Sequence, residues 1–304
     1  MNEKHRIKGI VLVLLGATLW GVSGSVAQYL FQVKHYTPEW LVTVRLIISG
    51  VLLLGFARVK TKKNQMLIWR DKEDRKGLIF FSLVGMLGVQ YSYFAAIKYG
   101  NAATATILQY LSPVLIACYL AVKNKRLPSL KQLIAILMAV LGTLLIVTKG
   151  NFATLSIGVL ALFWGLMSAL TAAFYTLQPQ QLLKRWGSLT LVGWGMLIGG
   201  MTFALLRQPW SGIGLWDYAS LLAIGFVVIF GTLIAFTCYL ESLHYISPTE
   251  TSILSSAEPL SAAFLSVVWL HSPLAPVQWL GTCLIIMTIV VLSYTKKQRL
   301  PVNR

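Results

Sequence analysis

Ten stretches of about 20 mainly apolar residues divide this chain, each long enough to cross a hydrocarbon layer as a helix. They run approximately over Ile7–Phe31, Pro38–Ala57, Gly77–Tyr99, Ala102–Val122, Gln132–Thr148, Ile157–Leu177, Leu189–Leu206, Tyr218–Leu240, Pro248–Leu270 and Val277–Tyr294. Hydrocarbon offers the backbone no water to bond, so each segment must satisfy its own N–H and C=O groups, as a helix does. The expectation is an all-α membrane protein with ten transmembrane helices. Of the 304 residues, 12% are charged and 57% hydrophobic, whereas a soluble domain carries roughly 25% charged residues. Only the connection Arg58–Lys76 is long, and it is hydrophilic and mixed in charge, so no extramembrane part has a core of its own.

The net charge of +17 is not laid out as a basic stripe with interleaved aromatics, as nucleic-acid binding requires. The basic residues instead cluster between apolar segments. Of 26 lysines and arginines, 21 lie at the N-terminus, in Arg58–Lys76, in Lys123–Lys131, at Lys184–Arg185 and in the C-terminal tail, all on one side of the bilayer if the segments alternate. Lys34, Lys98, Lys149 and Arg207 lie on the other side, and Arg45 lies within a span. Basic loops stay in the cytoplasm. Both termini are therefore expected there, and the lipid bilayer, not nucleic acid, is the partner. The basic start Met1–Lys8 leads into an apolar run that continues to about Phe31 without a clear small-residue cleavage site, which reads as a retained first span.

Cys118, Cys238 and Cys283 are odd in number and irregular in spacing, so neither a disulfide framework nor a metal cluster is expected; they read as small packing residues. Glu241, His244 and Glu250 fall close together but give no defined ligand set, and no metal is expected. Walker A, GxSxG, HExxH and glycine-rich dinucleotide patterns do not occur, so no cofactor and no ATP-driven chemistry is expected of this chain.

The chain repeats itself. Tyr99, Ile107, Leu108, Pro113 and Gln132 recur as Tyr245, Ile253, Leu254, Pro259 and Gln278, each pair 146 residues apart, and Trp20-Gly21 recurs as Trp164-Gly165. Residues 1–149 and 150–304 would then each hold five spans. Five is odd, so the second repeat starts on the opposite side, which makes the pair inverted. Transporters built this way bind substrate at the midplane between the halves.

Several residues are candidates for such a site. Glu258 lies about ten residues into the ninth segment, roughly 15 Å deep at 1.5 Å per residue. A carboxylate in hydrocarbon is costly unless it faces protein or water, so it reads as a group for a proton or a substrate amine; the alternative is a cap for backbone groups freed by Pro259. Arg45 would bind a substrate carboxylate, pair with Glu258, or snorkel to headgroups. Trp20 sits at mid-depth, where an amphipathic substrate could lie against it. Gln28, Gln90, Tyr93 and Gln109 would add a polar lining or bond across helices. Pro113 and Pro259, each lacking a backbone donor, should kink their helices. Gly195 and Gly199 form a GxxxG that serves either internal packing or dimerisation.

Three stretches together resemble a known family: Leu15-Gly-Ala-Thr-Leu-Trp20-Gly21, Ala102-Ala-Thr-Ala-Thr-Ile-Leu-Gln-Tyr-Leu-Ser112-Pro113 and Gly231-Thr-Leu-Ile-Ala-Phe-Thr-Cys-Tyr239. In this order, on a ten-span layout, they are similar to the EamA family of the drug/metabolite transporter superfamily, as two EamA repeats. The resemblance implies a metabolite exporter of a bacterial plasma membrane with a central cavity. Many members carry a Glu at the end of the fourth helix of each repeat, where this chain has Lys125-Arg126 and His271-Ser272. The expected function is secondary export of a small metabolite, amino acids or related amphipathic compounds, by alternating access, with ion or proton coupling and oligomeric state left open. Two alternatives stand beside it. A membrane-embedded enzyme would need a nucleophile, base and acid at one depth. A non-transporting interaction subunit would have a dry centre with Glu258 paired to Arg45.

Overall fold

A computed structural model describes residues 3–61, 64–125, 129–151, 156–207, 214–246, 251, 254–272 and 274–293. Every regular element among them is helical. In chain order the long helices are α1 (Glu3–Gln32), α2 (Pro38–Thr61), α3 (Lys72–Tyr99), α4 (Ala102–Lys123), α5 (Leu130–Thr148), α6 (Val159–Leu177), α7 (Ser188–Arg207) and α8 (Tyr218–Ser242), followed by α9 (Ala257–Val268) and α10 (Pro276–Ser293). The first eight are long and apolar enough to cross a membrane. The ninth and tenth expected spans are represented by shorter apolar helices, because the chain leaves helical geometry just before Ala257 and because Pro248 and Tyr294 lie outside the described residues. A 3-10 turn (Gln65–Trp69) and a short helix (Gln180–Trp186) occupy two of the connections.

Local chemistry sets the helix ends. The Asn101 side chain accepts from Thr104 N at 2.8 Å to open α4, and Asp217 accepts from Ser220 N at 2.8 Å to open α8. Ser129 and Gln132 satisfy each other's backbone N–H groups in a capping box at the start of α5. Lys149 and Gly150 adopt positive φ (52° and 87°) and end it.

Four interruptions distinguish this bundle from straight helices. A π-helical segment lies within α3 (Phe81–Leu87) and another within α8 (Ile229–Ile234). Gly85 and Gly231, one in each segment, are 146 residues apart. Between Gln109 and Ser112, α4 breaks at Tyr110-Leu111; the chain breaks again at Ser255-Ser256, before α9. Pro113 and Pro259 stand in the first turn after these breaks, where a missing N–H removes no helical bond.

Several of the helix contacts recur when each helix is exchanged for the one five places along. Helix α2 packs on α7, α5 on α10 and α4 on α9; α3 on α6 is matched by α8 on α1, α1 on α9 by α6 on α4, and α3 on α7 by α8 on α2. The α2–α7 pair is antiparallel, with Ile47 beside Gly200, Gly50 beside Leu197 and Leu54 beside Gly193. The α5–α10 pair is antiparallel as well, Gly142 lying over Gly281 and Gln278 Nε2 donating to Ile146 O at 3.1 Å. Within a bilayer, packing of small residues and interhelical hydrogen bonds, rather than hydrophobic burial, hold helices together. Gly195 and Gly199 take part in this internal packing, against Phe81 and the Ser82 carbonyl respectively.

Candidate functional site

A cavity of about 430 Å³ opens where α1, α2, α3, α4, α8 and the start of α9 meet. The breaks in α4 and before α9 lie against each other across it. The Tyr110 hydroxyl, from the first break, is 2.8 Å from Ser255 O in the second and 3.0 Å from Glu258 Oε2. One phenolic proton thus faces two acceptors. Helix α1 comes close enough to this point that a Cβ on Gly21 would strike the Glu258 carbonyl and Ser261; Gly165 of α6 makes the matching approach to Leu108 of α4. Gly21 is required by this close backbone crossing, not by its own backbone conformation.

Glu258 lines the cavity. Arg45 lines it from α2 and is 5% exposed. Its Nε donates to Thr232 Oγ1 at 2.6 Å, one terminal nitrogen to Gln90 Oε1 at 3.1 Å and the other to Gly231 O at 3.2 Å. Its guanidinium carbon stands 5.1 Å from the centre of the Phe94 ring. All of these partners are neutral. Among the described residues no carboxylate lies within ion-pair distance of Arg45, so it neither pairs with Glu258 nor snorkels to a surface.

Trp20, Gln90, Tyr93 and Gln109 also line the cavity. The Trp20 ring packs at 5.0 Å from Phe236 and 5.2 Å from Tyr239, and Tyr93 OH is 2.8 Å from Thr106 Oγ1. Gln28 is elsewhere. It is fully buried, its oxygen accepts the Ala102 N–H at 2.8 Å, and its nitrogen donates to Gln32 at 3.0 Å and Ser272 at 3.4 Å, so it ties α1 to the start of α4 and the end of α9. Trp164, the repeat partner of Trp20, packs instead on Tyr91 and Phe163.

Sequence reasoning missed Tyr110, Tyr175, Phe236, Tyr239 and the Thr232 hydroxyl. The repeat spacing carried a signal for several of them. Residues 90, 93 and 109 recur at the same 146-residue offset as Phe236, Tyr239 and Ser255, and all six line the cavity.

The two ends of the bundle differ. At one end the cavity runs out past Thr176, Leu183 and Ser188, and it shares Ser188 and Leu240 with a second cavity of about 460 Å³ bordered by Lys60, Glu241 and His244. There Lys60 Nζ donates to Glu241 Oε2 at 3.1 Å, and His244 lies 3.9 Å from the same oxygen; Glu250 is outside the described residues. The opposite end is latched. Lys34 pairs with Asp217, Leu215 N donates to Lys34 O at 2.9 Å, Tyr36 OH donates to Leu215 O at 3.1 Å, and the Trp40 and Trp216 rings meet at 5.8 Å. The carboxyl of Asp217 is held down at about 2 by its bond from Lys34 and by the Ser220 N–H.

The EamA-like transporter family matches residues 7–148 and again 159–294. The chain belongs to this family. It is 38% identical over 292 residues to the "Uncharacterized inner membrane transporter YicL" of Salmonella typhimurium, covering 96% of this chain and 97% of the relative. It is 24% identical over 303 residues to the threonine/homoserine exporter RhtA of Escherichia coli K12, covering 97% and 95%. A crystal structure sharing 18% identity superposes with a TM-score of 0.61 over 96% of both chains, which shows the same fold. The chain is thus a multi-pass membrane transporter homologue built from two EamA repeats.

Proposed function

We propose that this protein is a secondary transporter that exports small metabolites, amino acids or related amphipathic compounds, across the plasma membrane by alternating access. The observation that carries this reading is the central cavity itself: it holds an acid and a cation whose hydrogen-bond partners among the described residues are all neutral, is walled by aromatic rings, opens at one end and is latched at the other. The name of the RhtA relative supports amino acids as the class. A non-transporting subunit, by contrast, would have a filled centre and a Glu258–Arg45 pair.

In this reading residues 1–149 and 150–304 are inverted repeats of five spans each. The helix exchange described above supports it, and so do the antiparallel α2–α7 and α5–α10 pairs, because an axis in the membrane plane reverses a helix whereas an axis along the normal does not. With the basic loops in the cytoplasm, the open end faces inward and the latched end outward. Trp20, Gln90, Tyr93, Gln109, Arg45 and Glu258 contact substrate, and the breaks before Pro113 and Pro259 are hinges. Gln28 acts as a tie between helices rather than a substrate contact. Tyr110 has one proton for two acceptors, and a proton on Glu258 completes the second bond, so proton binding at Glu258 is the coupling step.

Purified protein in lipid vesicles should show saturable flux of such compounds, driven by a proton gradient. Glu258→Gln should remove the response to the gradient. Unchanged gradient-driven flux in that variant contradicts the role given to Glu258, and absence of flux for every metabolite tested contradicts transport.

A further inference from the structure

The Arg45 end of the cavity has a chemistry of its own. Arg45 carries five N–H donors. Three are committed to Thr232, Gln90 and Gly231, which leaves one on each terminal nitrogen. The side chain is nine-tenths buried and lines the cavity, and among the described residues its hydrogen-bond partners are all neutral and no carboxylate is within ion-pair distance. A buried cation in this state is costly until a counter-charge arrives. A second, independent observation points the same way. Ser23, 2% exposed and also lining the cavity, packs against Gly231, yet its hydroxyl has no hydrogen-bond partner among the described residues. Arg45 and Ser23 thus both touch Gly231 and both line the cavity, and among the described residues two guanidinium N–H groups and one hydroxyl there have no partner. Together they suit a planar oxyanion, since a guanidinium presents paired donors that match carboxylate geometry.

What holds Arg45 there is the π-helical segment of α8. The Thr232 hydroxyl has a single proton, and it is donated to Val227 O five residues back at 2.9 Å. That bond turns an oxygen lone pair of Thr232 toward Arg45 Nε. The same irregular turn presents the Gly231 carbonyl to a terminal nitrogen of Arg45. A regular helix would bond its carbonyls to the N–H four residues on.

We propose that Arg45 and Ser23 form a carboxylate-binding subsite of the transport cavity, and that Thr232 is the positioning residue that orients Arg45 in it. This deepens the transport reading by assigning the part of the cavity that takes the substrate's acid group, and it rests on that reading for its use in flux. Glu258 faces the remainder of the ligand.

The test is ligand-induced thermal stabilisation of the detergent-purified full chain, with the twenty standard L-amino acids and the corresponding amino-acid amides as probes. At least one acid should stabilise the wild type, and its amide should bind about tenfold more weakly, the cost of one charge-assisted hydrogen-bond pair. Thr232→Val should raise the half-saturating concentration of the acid about tenfold while leaving the amide unchanged, and Thr232→Ser should restore it to within about twofold. Ser23→Ala should weaken the acid about threefold. Equal binding of acid and amide, no stabilisation by any acid, or loss in Thr232→Val that Ser does not rescue would each overturn the subsite. Discrimination of acid from amide without flux in vesicles would instead contradict transport and leave the subsite standing. Flux that is equal for acid and amide would do the reverse.

Discussion

The two repeats share their backbone devices but not their chemistry. Each has a π-helical segment in its third helix and a break with a proline just beyond it in its fourth, at a common offset of 146 residues. The side chains at those matched places differ: Ser112 answers Glu258, Tyr110 answers Ser256, Gln90 answers Phe236 and Met86 answers Thr232. A repeated scaffold surrounds the cavity, while the residues that differ between repeats make its lining chemically asymmetric. One acid and one cation, contributed by different repeats, stand where symmetry alone would have put two of each or none.

The comparison can be broken most forcefully at its charged pair of positions. Glu258→Gln should lower gradient-driven flux about a hundredfold, whereas Ser112→Ala, at the matched place, should stay within about twofold, because only the acid is an intramembrane charge. Comparable losses in both would place the function in the breaks themselves. Next comes the contact between breaks. Tyr110→Phe removes the hydroxyl that bridges them and should cost about 1–2 kcal/mol in unfolding free energy; Ser256→Ala removes a buried hydroxyl with no partner and should be neutral or stabilising by up to about 1 kcal/mol. Thermal or denaturant unfolding in detergent separates the two.

A smaller effect is expected just beyond the two π-helical segments. Gln90→Leu deletes an acceptor from Arg45 and should raise the half-saturating concentration of carboxylate ligands about fivefold, and Phe236→Leu should change acid and amide binding alike. The smallest concerns the Lys34–Asp217 latch. Asp217, held near 2, stabilises the latched state at every pH above its ordinary value near 4 and stops doing so as pH falls through about 2. Lys34, raised above its ordinary 10.5 by its bond to Asp217, has the opposite sign: its contribution is full below that value and is lost on the alkaline side. The unfolding midpoint should therefore be flat between about pH 4 and 10 and fall outside it. Asp217→Asn, which keeps the helix cap, should flatten both shoulders.

Membrane character, the first eight helices and the repeat were legible because hydropathy and spacing record them directly. The breaks were legible only through Pro113 and Pro259, which mark a lost donor without saying where the chain leaves the helix; that happens before each proline, at Tyr110 and Ser255. The π-helical segments left no compositional trace, since one extra residue in a turn changes neither hydropathy nor polarity. Glu258 and Arg45 stood out because charge in hydrocarbon is rare. For Gln28 the sequence left two readings, cavity lining or a bond across helices, because a helical face gives direction but not depth; its amide accepts the Ala102 N–H of α4 and does not line the cavity. Tyr239 and Phe236 escaped notice although the 146-residue offset pointed from Tyr93 and Gln90 straight to them.

The most direct measurement is the accessibility of a single cysteine at position 109, in protein with Cys118, Cys238 and Cys283 replaced, to a membrane-impermeant thiol reagent applied from each side of oriented vesicles. Alternating access predicts that Gln109→Cys reacts from both sides, faster from the open end near Lys60, Glu241 and His244. Reaction from that end alone, under every substrate and pH condition, would contradict it.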